Sequence, residues 1–241
     1  IDGLVRIKPL VKRLVDLNMP AVAITDHSNF FGLVKLYKAA SSSGVKPILG
    51  VDLKVVDSDD EEQSYPISLL AMNDEGYRNL TILISKSYTE GQYLGAPFVR
   101  KAWLEEYSAG IIAMSAGAAG DVGQALISEK HDIAEERARY WMGLYPDRYY
   151  LELHRTGRDG DETHLHAAID LAEKLACPVV ATNDVRFLDS TEFEAHEARV
   201  CIGEGRALDD PRRARIFTDQ QYLRSADEMA ELFADIPEAL A

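Results

Sequence analysis

Apolar residues recur along this chain in two rhythms. Over residues 9–17, Leu10, Val11, Leu14, Val15 and Leu17 follow the 3.6-residue period of a helix. Pro9 sits in the first turn, where its missing N–H costs nothing. Pro20 ends that helix, and residues 21–25 read as a short strand. Phe31, Val34, Leu36 and Tyr37 line a second helix that closes at Gly44, and a strand is expected over 47–55. The polar stretch DSDDEEQS (57–64) reads as a solvated turn.

The same alternation continues. Strands are expected over 65–72, 110–115, 149–153 and 178–182, and helices over 76–88, 122–128, 133–144, 164–175 and 193–202. The β runs are apolar throughout rather than alternating, as parallel strands covered on both faces are. Strict β–α alternation over this length predicts a barrel or a doubly wound sheet. Leu10, Leu14, Ile24, Val34, Ile48, Leu70, Leu80, Ile112, Leu151 and Val180 are the expected core, by helix period or by central position in a strand.

Composition narrows the classes. The chain has 241 residues, 46% of them hydrophobic, enough for one large α/β domain with a substantial core. No apolar run approaches the ~20 residues that cross a bilayer, so no membrane association is expected. Forty acids against 26 bases give a net charge of −14. Binding to a phosphate backbone releases counterions to Lys and Arg, and there is no excess of them here. Cys177 and Cys201 are too few for a disulfide framework and fit small core residues in a reducing cytoplasm. The sequence starts at Ile1, carries no signal-peptide pattern, and closes on DIPEALA, which reads as the interior of a helix; a fragment of a longer protein is expected.

In α/β folds of this kind, chemistry collects at the carboxyl ends of the strands, where the loops converge on one mouth. Those ends carry Asp26-His27, Asp52, Ser115, Glu152 with His154, and Asn183-Asp184. Carboxylates and imidazoles meeting at one mouth are the ingredients of a hydrolytic metal centre. Each also has a structural role open to it: Asp26 can cap the following helix, His27 can be a hydrogen-bonded histidine, and Asp184 can accept from a turn. His131, His164 and His166 fall on helices away from the mouth.

The segments AVAITDHSNFFGLVKLYKAASSSGVKPILGVDL, ISLLAMNDEGYRNLTILISKSY and VVATNDVRFLDSTEFEAHEARVCIGEG carry a resemblance. Together they look like the polymerase-and-histidinol-phosphatase (PHP) family. Within it they resemble the domains at the N-terminus of the alpha subunits of bacterial DNA polymerase III, proteobacterial type. The resemblance covers essentially the whole chain as a single domain, residues 1–241. It implies a distorted (βα)7 barrel related to the TIM barrel. It also implies a first strand, bearing a His-x-His segment, that is absent from the given sequence.

Active members of the family hold up to three metals and hydrolyse phosphoesters. Carried over one position at a time, Asp2, His27, Asp52 and Asp184 match family ligands, with Asp52 standing where the family has Glu. Pro66, Thr156 and Arg186 stand where the family has histidines. Proline has no donor atom, and a guanidinium cannot ligate a metal. Arg186 can instead pair with Asp184 or Asp52. If residues 152–156 stay extended, His154 lies on the same side as Glu152 and Thr156 and could replace a lost ligand.

The resemblance thus implies a vestigial metal site with no catalytic residues and no cofactor beyond one weakly bound divalent metal. It implies a scaffold that docks the proofreading exonuclease subunit and the other domains of the polymerase, touching DNA only through the parent protein. The parent would be a DNA-directed DNA polymerase in the cytoplasm, with nucleotidyl transfer done elsewhere in it. The competing reading is an active metal-dependent phosphoesterase, pyrophosphatase or exonuclease. A free-standing histidinol phosphatase fits less well, given the polymerase-type segments.

Overall fold

A computed structural model describes residues 3–57 and 64–240. Asp2 and residues 58–63 of the polar loop lie outside the described residues. Helix α1 (Ile7–Asp16) begins two residues before Pro9, which therefore sits in the first turn. Strands β1 (Ala21–His27) and β2 (Lys46–Val56) flank α2 (Leu33–Ser42) and pair in parallel, with His27 opposite Asp52.

Strand β3 (Ser64–Ala71) runs antiparallel to β2, contrary to the all-parallel expectation. The reason is the length of the connection: a parallel crossover needs a dozen or more residues, and only residues 57–63 separate these two strands. The chain then runs through α3 (Asp74–Thr89), the small hairpin of β4 (Gln92–Tyr93) and β5 (Ala96–Pro97), β6 (Val99–Arg100) and α4 (Lys101–Glu106). Strand β7 (Ile111–Met114) is antiparallel to β3, which restores the direction of β2. Helices α5 (Asp121–Ile127) and α6 (His131–Leu144), β8 (Tyr149–His154), α7 (Asp161–Leu175), β9 (Val179–Thr182), α8 (Phe193–Glu204) and α9 (Ala226–Leu232) complete the order. The strand order is β1-β2-β3-β7-β8-β9, with β6 beside β2, forming a curled half-barrel. Within the DIPEALA segment, Pro237–Leu240 form one 3-10 turn rather than the expected helix interior.

Helices cover the outer face of the sheet. Val51, Leu53, Ile67, Leu69, Ile111, Ala113, Leu151 and Leu153 point into this layer and are buried, packed with Leu80, Leu83, Leu104 and Trp141. Of the expected core, Leu10, Leu14, Leu80 and Leu151 are buried. Ile48, Leu70, Ile112 and Val180 fall on the inner face and are only half-buried, because strand side chains alternate and that face is partly open. Ile24 is half-buried against a separate small core that α1 and α2 build with Leu10, Leu14, Leu36 and Ala40. Val34 is a correction: it is 59% exposed, and Leu33, Leu36 and Ala40 form the buried face of α2 instead.

Two glycines set close approaches. Gly110, at φ +70°, brings its carbonyl against Gly76 in the first turn of α3, where a Cβ would lie 1.9 Å from that oxygen. Asn73 caps the same turn by accepting from the Gly76 N–H at 3.0 Å. Among the described residues, no helix is long and apolar enough to cross a membrane.

Candidate functional site

The inner face of the half-barrel carries a polar row at its carboxyl mouth. His27, Asp52 and Ser68 are opposite one another on β1, β2 and β3 and so share one face. Ser68 Oγ donates to Asp52 Oδ1 at 2.7 Å, and His27 Nδ1 lies 3.8 Å from Asp52 Oδ2. Burial pushes the Asp52 carboxyl up to about 6; the Ser68 hydrogen bond and the charges of His27 and Arg186 oppose it, and that of Glu152 adds to it. That coupling joins the two halves of the mouth.

On the other half, Glu152 and His154 project from β8 to the same side. His154 Nε2 lies 3.5 Å from Glu152 Oε1, and Thr182 Oγ1 donates to that oxygen at 2.5 Å. Burial pushes the Glu152 carboxyl up, but His154 and Thr182 outweigh it and hold it below the usual range. Burial likewise disfavours a charged His154, and its contact with Glu152 more than offsets this, so its pKa is raised. Glu152 Oε2 is buried without a hydrogen-bond partner among the described residues. Gly117, at φ +56°, lets His154 lie flat against the β7–α5 turn, where a Cβ would come within 2.6 Å of Cε1.

Asp184 follows β9 with a left-handed φ of 41°, which Asp tolerates better than most residues. Its Oδ1 accepts from Arg186 Nη2 at 2.6 Å, and its Oδ2 accepts from Arg158 Nη1 and Gln221 Nε2, both at 2.9 Å. Burial would raise its pKa, and the charges of Arg186, His154 and Arg158 reverse this and hold the carboxyl low. Arg186 also stacks over Phe217, 5.6 Å from the ring centroid. Leu4 N–H donates to the Arg186 carbonyl at 2.7 Å, bringing the described N-terminus to the rim.

The residues singled out in the sequence thus divide. His27, Asp52, Glu152, His154, Asp184 and Arg186 meet at one mouth, and Pro66 lies on the same inner face, opposite Lys54. Thr156 does not join them. Strand β8 ends at His154, and Thr156 turns away: its N–H and Oγ1 both donate to Asp161 Oδ2 at 2.8 Å, while its carbonyl accepts from Thr218. The extended 152–156 segment is therefore a correction, although His154 does face Glu152. Asp26 does not cap the first turn of α2; from its strand it accepts from the N–H of Gly32, the residue just before the helix, at 2.8 Å.

Arg158 and Gln221 were not legible as site residues. Arg158 lies in the glycine-flanked loop TGRDG, and Gln221 comes from a segment more than 30 residues past β9. Of the helix histidines, His164 is buried, and burial, aided by the charge of His154, lowers it to about 4; His131 and His166 are exposed. Cys177 and Cys201 are both buried and free.

Comparison with known proteins places this arrangement. The family model for the PHP domain matches residues 1–156. The whole chain is 54% identical over 240 residues to DNA polymerase III subunit alpha of Pseudomonas fluorescens, covering 20% of that protein. It is 50% identical over 241 residues to the same subunit of Escherichia coli K12, covering 21%. The chain thus spans about a fifth of the length of the curated relatives it matches.

Among solved structures, a proposed metal-dependent phosphoesterase from Bifidobacterium adolescentis superposes with a TM-score of 0.52 at 14% identity, covering 97% of this chain and 92% of that one. An amidohydrolase from Chromobacterium violaceum gives 0.51 at 13%, covering 77% and 84%. At such identities these two show the fold alone. The half-barrel, the carboxyl-end mouth and the matched segment together establish that this chain belongs to the PHP domain family.

Proposed function

We propose that this chain is the PHP domain of the alpha subunit of a replicative DNA polymerase. Its hydrolytic metal site is degenerate, and it serves as scaffold and docking module for the proofreading exonuclease subunit. The carrying observation is the engagement of Asp184: both oxygens are taken by guanidinium groups, from Arg186 and Arg158, where a metal-binding relative would present them to a cation. Fixed positive charges at that position oppose a metal electrostatically, and they cannot ligate one. Pro66 supplies no donor, and Thr156 is turned to Asp161. The donor set at this mouth therefore does not fit a two- or three-metal cluster.

The relatives' common name supports the parent polymerase, whose nucleotidyl transfer belongs to parts of such a subunit outside this chain. Other domains of that subunit, and DNA only through them, are its proposed contacts, in the cytoplasm. A metal-dependent phosphoesterase is the competing reading. The buried Glu152 Oε2, without a hydrogen-bond partner among the described residues, is the observation that favours a single weakly held divalent cation beside His154.

Two measurements test this. Metal analysis of the purified chain should find at most one divalent ion per chain, removable by mild chelation, with no turnover of a phosphoester substrate. Two or three tightly held ions together with turnover would overturn the degenerate site. Gel filtration with the proofreading exonuclease subunit of a bacterial DNA polymerase III should give a 1:1 complex; separate elution at micromolar concentrations would sink the docking role.

A further inference from the structure

The charge of this chain is unevenly placed. Residues 1–54 carry eight Lys or Arg against four Asp or Glu, whereas the remainder carries 18 against 36. Helices α1 and α2 form the layer over the β1 edge of the sheet, and Lys8, Lys12, Lys35 and Lys38 are exposed on it. None of these four lysines has a carboxylate partner among the described residues.

The same layer exposes apolar surface. Phe31, in the turn just before α2, is 84% exposed, and Val34 at 59% and Tyr37 at 57% continue the apolar surface along one flank of the helix. The opposite flank of α2 and the facing side of α1 border a groove of about 480 Å³. Val11, Val15, Ala39, Ser42 and Ser43 line it together with Lys8, Lys12 and one carboxylate, Asp16. Small residues on the α2 side permit close approach of another backbone. On the helical wheel Lys35 and Lys38 fall between the groove and the aromatic flank, so one ligand spanning both would cross the lysines.

We propose that this α1–α2 face is a docking surface for an acidic amphipathic segment of a protein partner. Its apolar side chains would fill the groove and cover Phe31 and Val34, and its carboxylates would meet the lysines. Charge complementarity selects this occupant. A nucleic acid would extend its phosphates beyond the patch over a chain of net charge −14, whereas a short helix confines its charge to the basic layer. Helix-in-groove recognition supplies the apolar anchors that an exposed lysine cluster by itself lacks.

The test uses the 241-residue chain and a fluorescein-labelled peptide of about four helical turns, leucine on one face and glutamate on the other. Fluorescence anisotropy should report binding that weakens roughly tenfold or more in the K12E/K35E/K38E variant. It should also weaken in F31S/V34S, fall with added salt, and stay unchanged in K130E, whose lysine lies elsewhere on the surface. A peptide with lysine in place of glutamate should not bind. The proposal is overturned by absence of binding, by affinity indifferent to the triple charge reversal, or by tighter binding of a single-stranded oligothymidylate, which would assign the face to nucleic acid. None of these outcomes bears on the metal content or the exonuclease complex of the preceding section.

Discussion

Arg186 Nη2 donates to Asp184 Oδ1 at 2.6 Å across a single intervening residue, with both side chains less than a fifth exposed. Arg158 and Gln221 complete the shell around the carboxylate. Removing the anion would strand two guanidinium groups in a partly buried mouth. Asp184→Asn preserves the left-handed backbone and should cost on the order of 3 kcal/mol in urea unfolding. The double variant Asp184→Asn with Arg186→Met should lose less than the sum of the two single variants, because the second change removes one stranded charge. Additive losses would mean the pair is not energetically coupled.

Acid titration should separate two groups with opposite slopes. Asp52 has a folded pKa raised by burial to about 6, above its ordinary 3.8. Between those values the folded state holds the extra proton, so the contribution of Asp52 falls as pH rises from about 4 to about 6. His164 is the reverse case: burial lowers it to about 4 from 6.5, the unfolded state holds the extra proton, and stability is lost as pH falls from 6.5 towards 4. Asp52→Asn should therefore raise stability at pH 7 relative to pH 4 when compared with the parent chain, and His164→Leu should flatten the acid-side loss. Equilibrium unfolding at several pH values reads both, and identical pH profiles for parent and variants would refute the assignments.

Position within an element matters more than residue type for the core. Leu14 and Leu80 are fully buried, and truncating either to Ala should cost about 2–5 kcal/mol. Val34 is apolar and on the same helix as Leu36, yet Val34→Ser should stay within about 0.5 kcal/mol because the side chain is already in water. Thermal or urea denaturation of the three variants checks the contrast.

That contrast also marks what the sequence could reveal. The helix period located α1, α3, α6 and α7, because each buries one stripe against the sheet. It misplaced Val34, since an exposed apolar residue at i+1 of a buried one carries the same hydrophobicity. The antiparallel β3 was legible in principle, from the seven residues (57–63) that separate it from β2, too few for a parallel crossover, but an apolar run has no direction. Helix α9 also had a local signal, the box in which Ser225 and Glu228 cap each other's N–H groups. At the mouth, strand ends revealed His27, Asp52, Glu152 and Asp184. Arg158 and Gln221 arrive on loops whose sequence holds no trace of their destination, because only tertiary packing brings them there.

The reversal of β3 has a kinetic consequence. Among the described residues, it makes β2 and β3 the pair of long neighbouring strands in the main sheet joined by a short connection, while the parallel pairs must each wait for an intervening helix. Closing a short loop costs less entropy than closing a crossover, and native contacts of low sequence separation form first. The 46–71 ribbon is thus the natural nucleus on which α3 and β7 condense, with β9 added late. Leu69→Ala should slow refolding in stopped-flow measurements, whereas Val180→Ala should leave the folding limb of the chevron in place and speed unfolding.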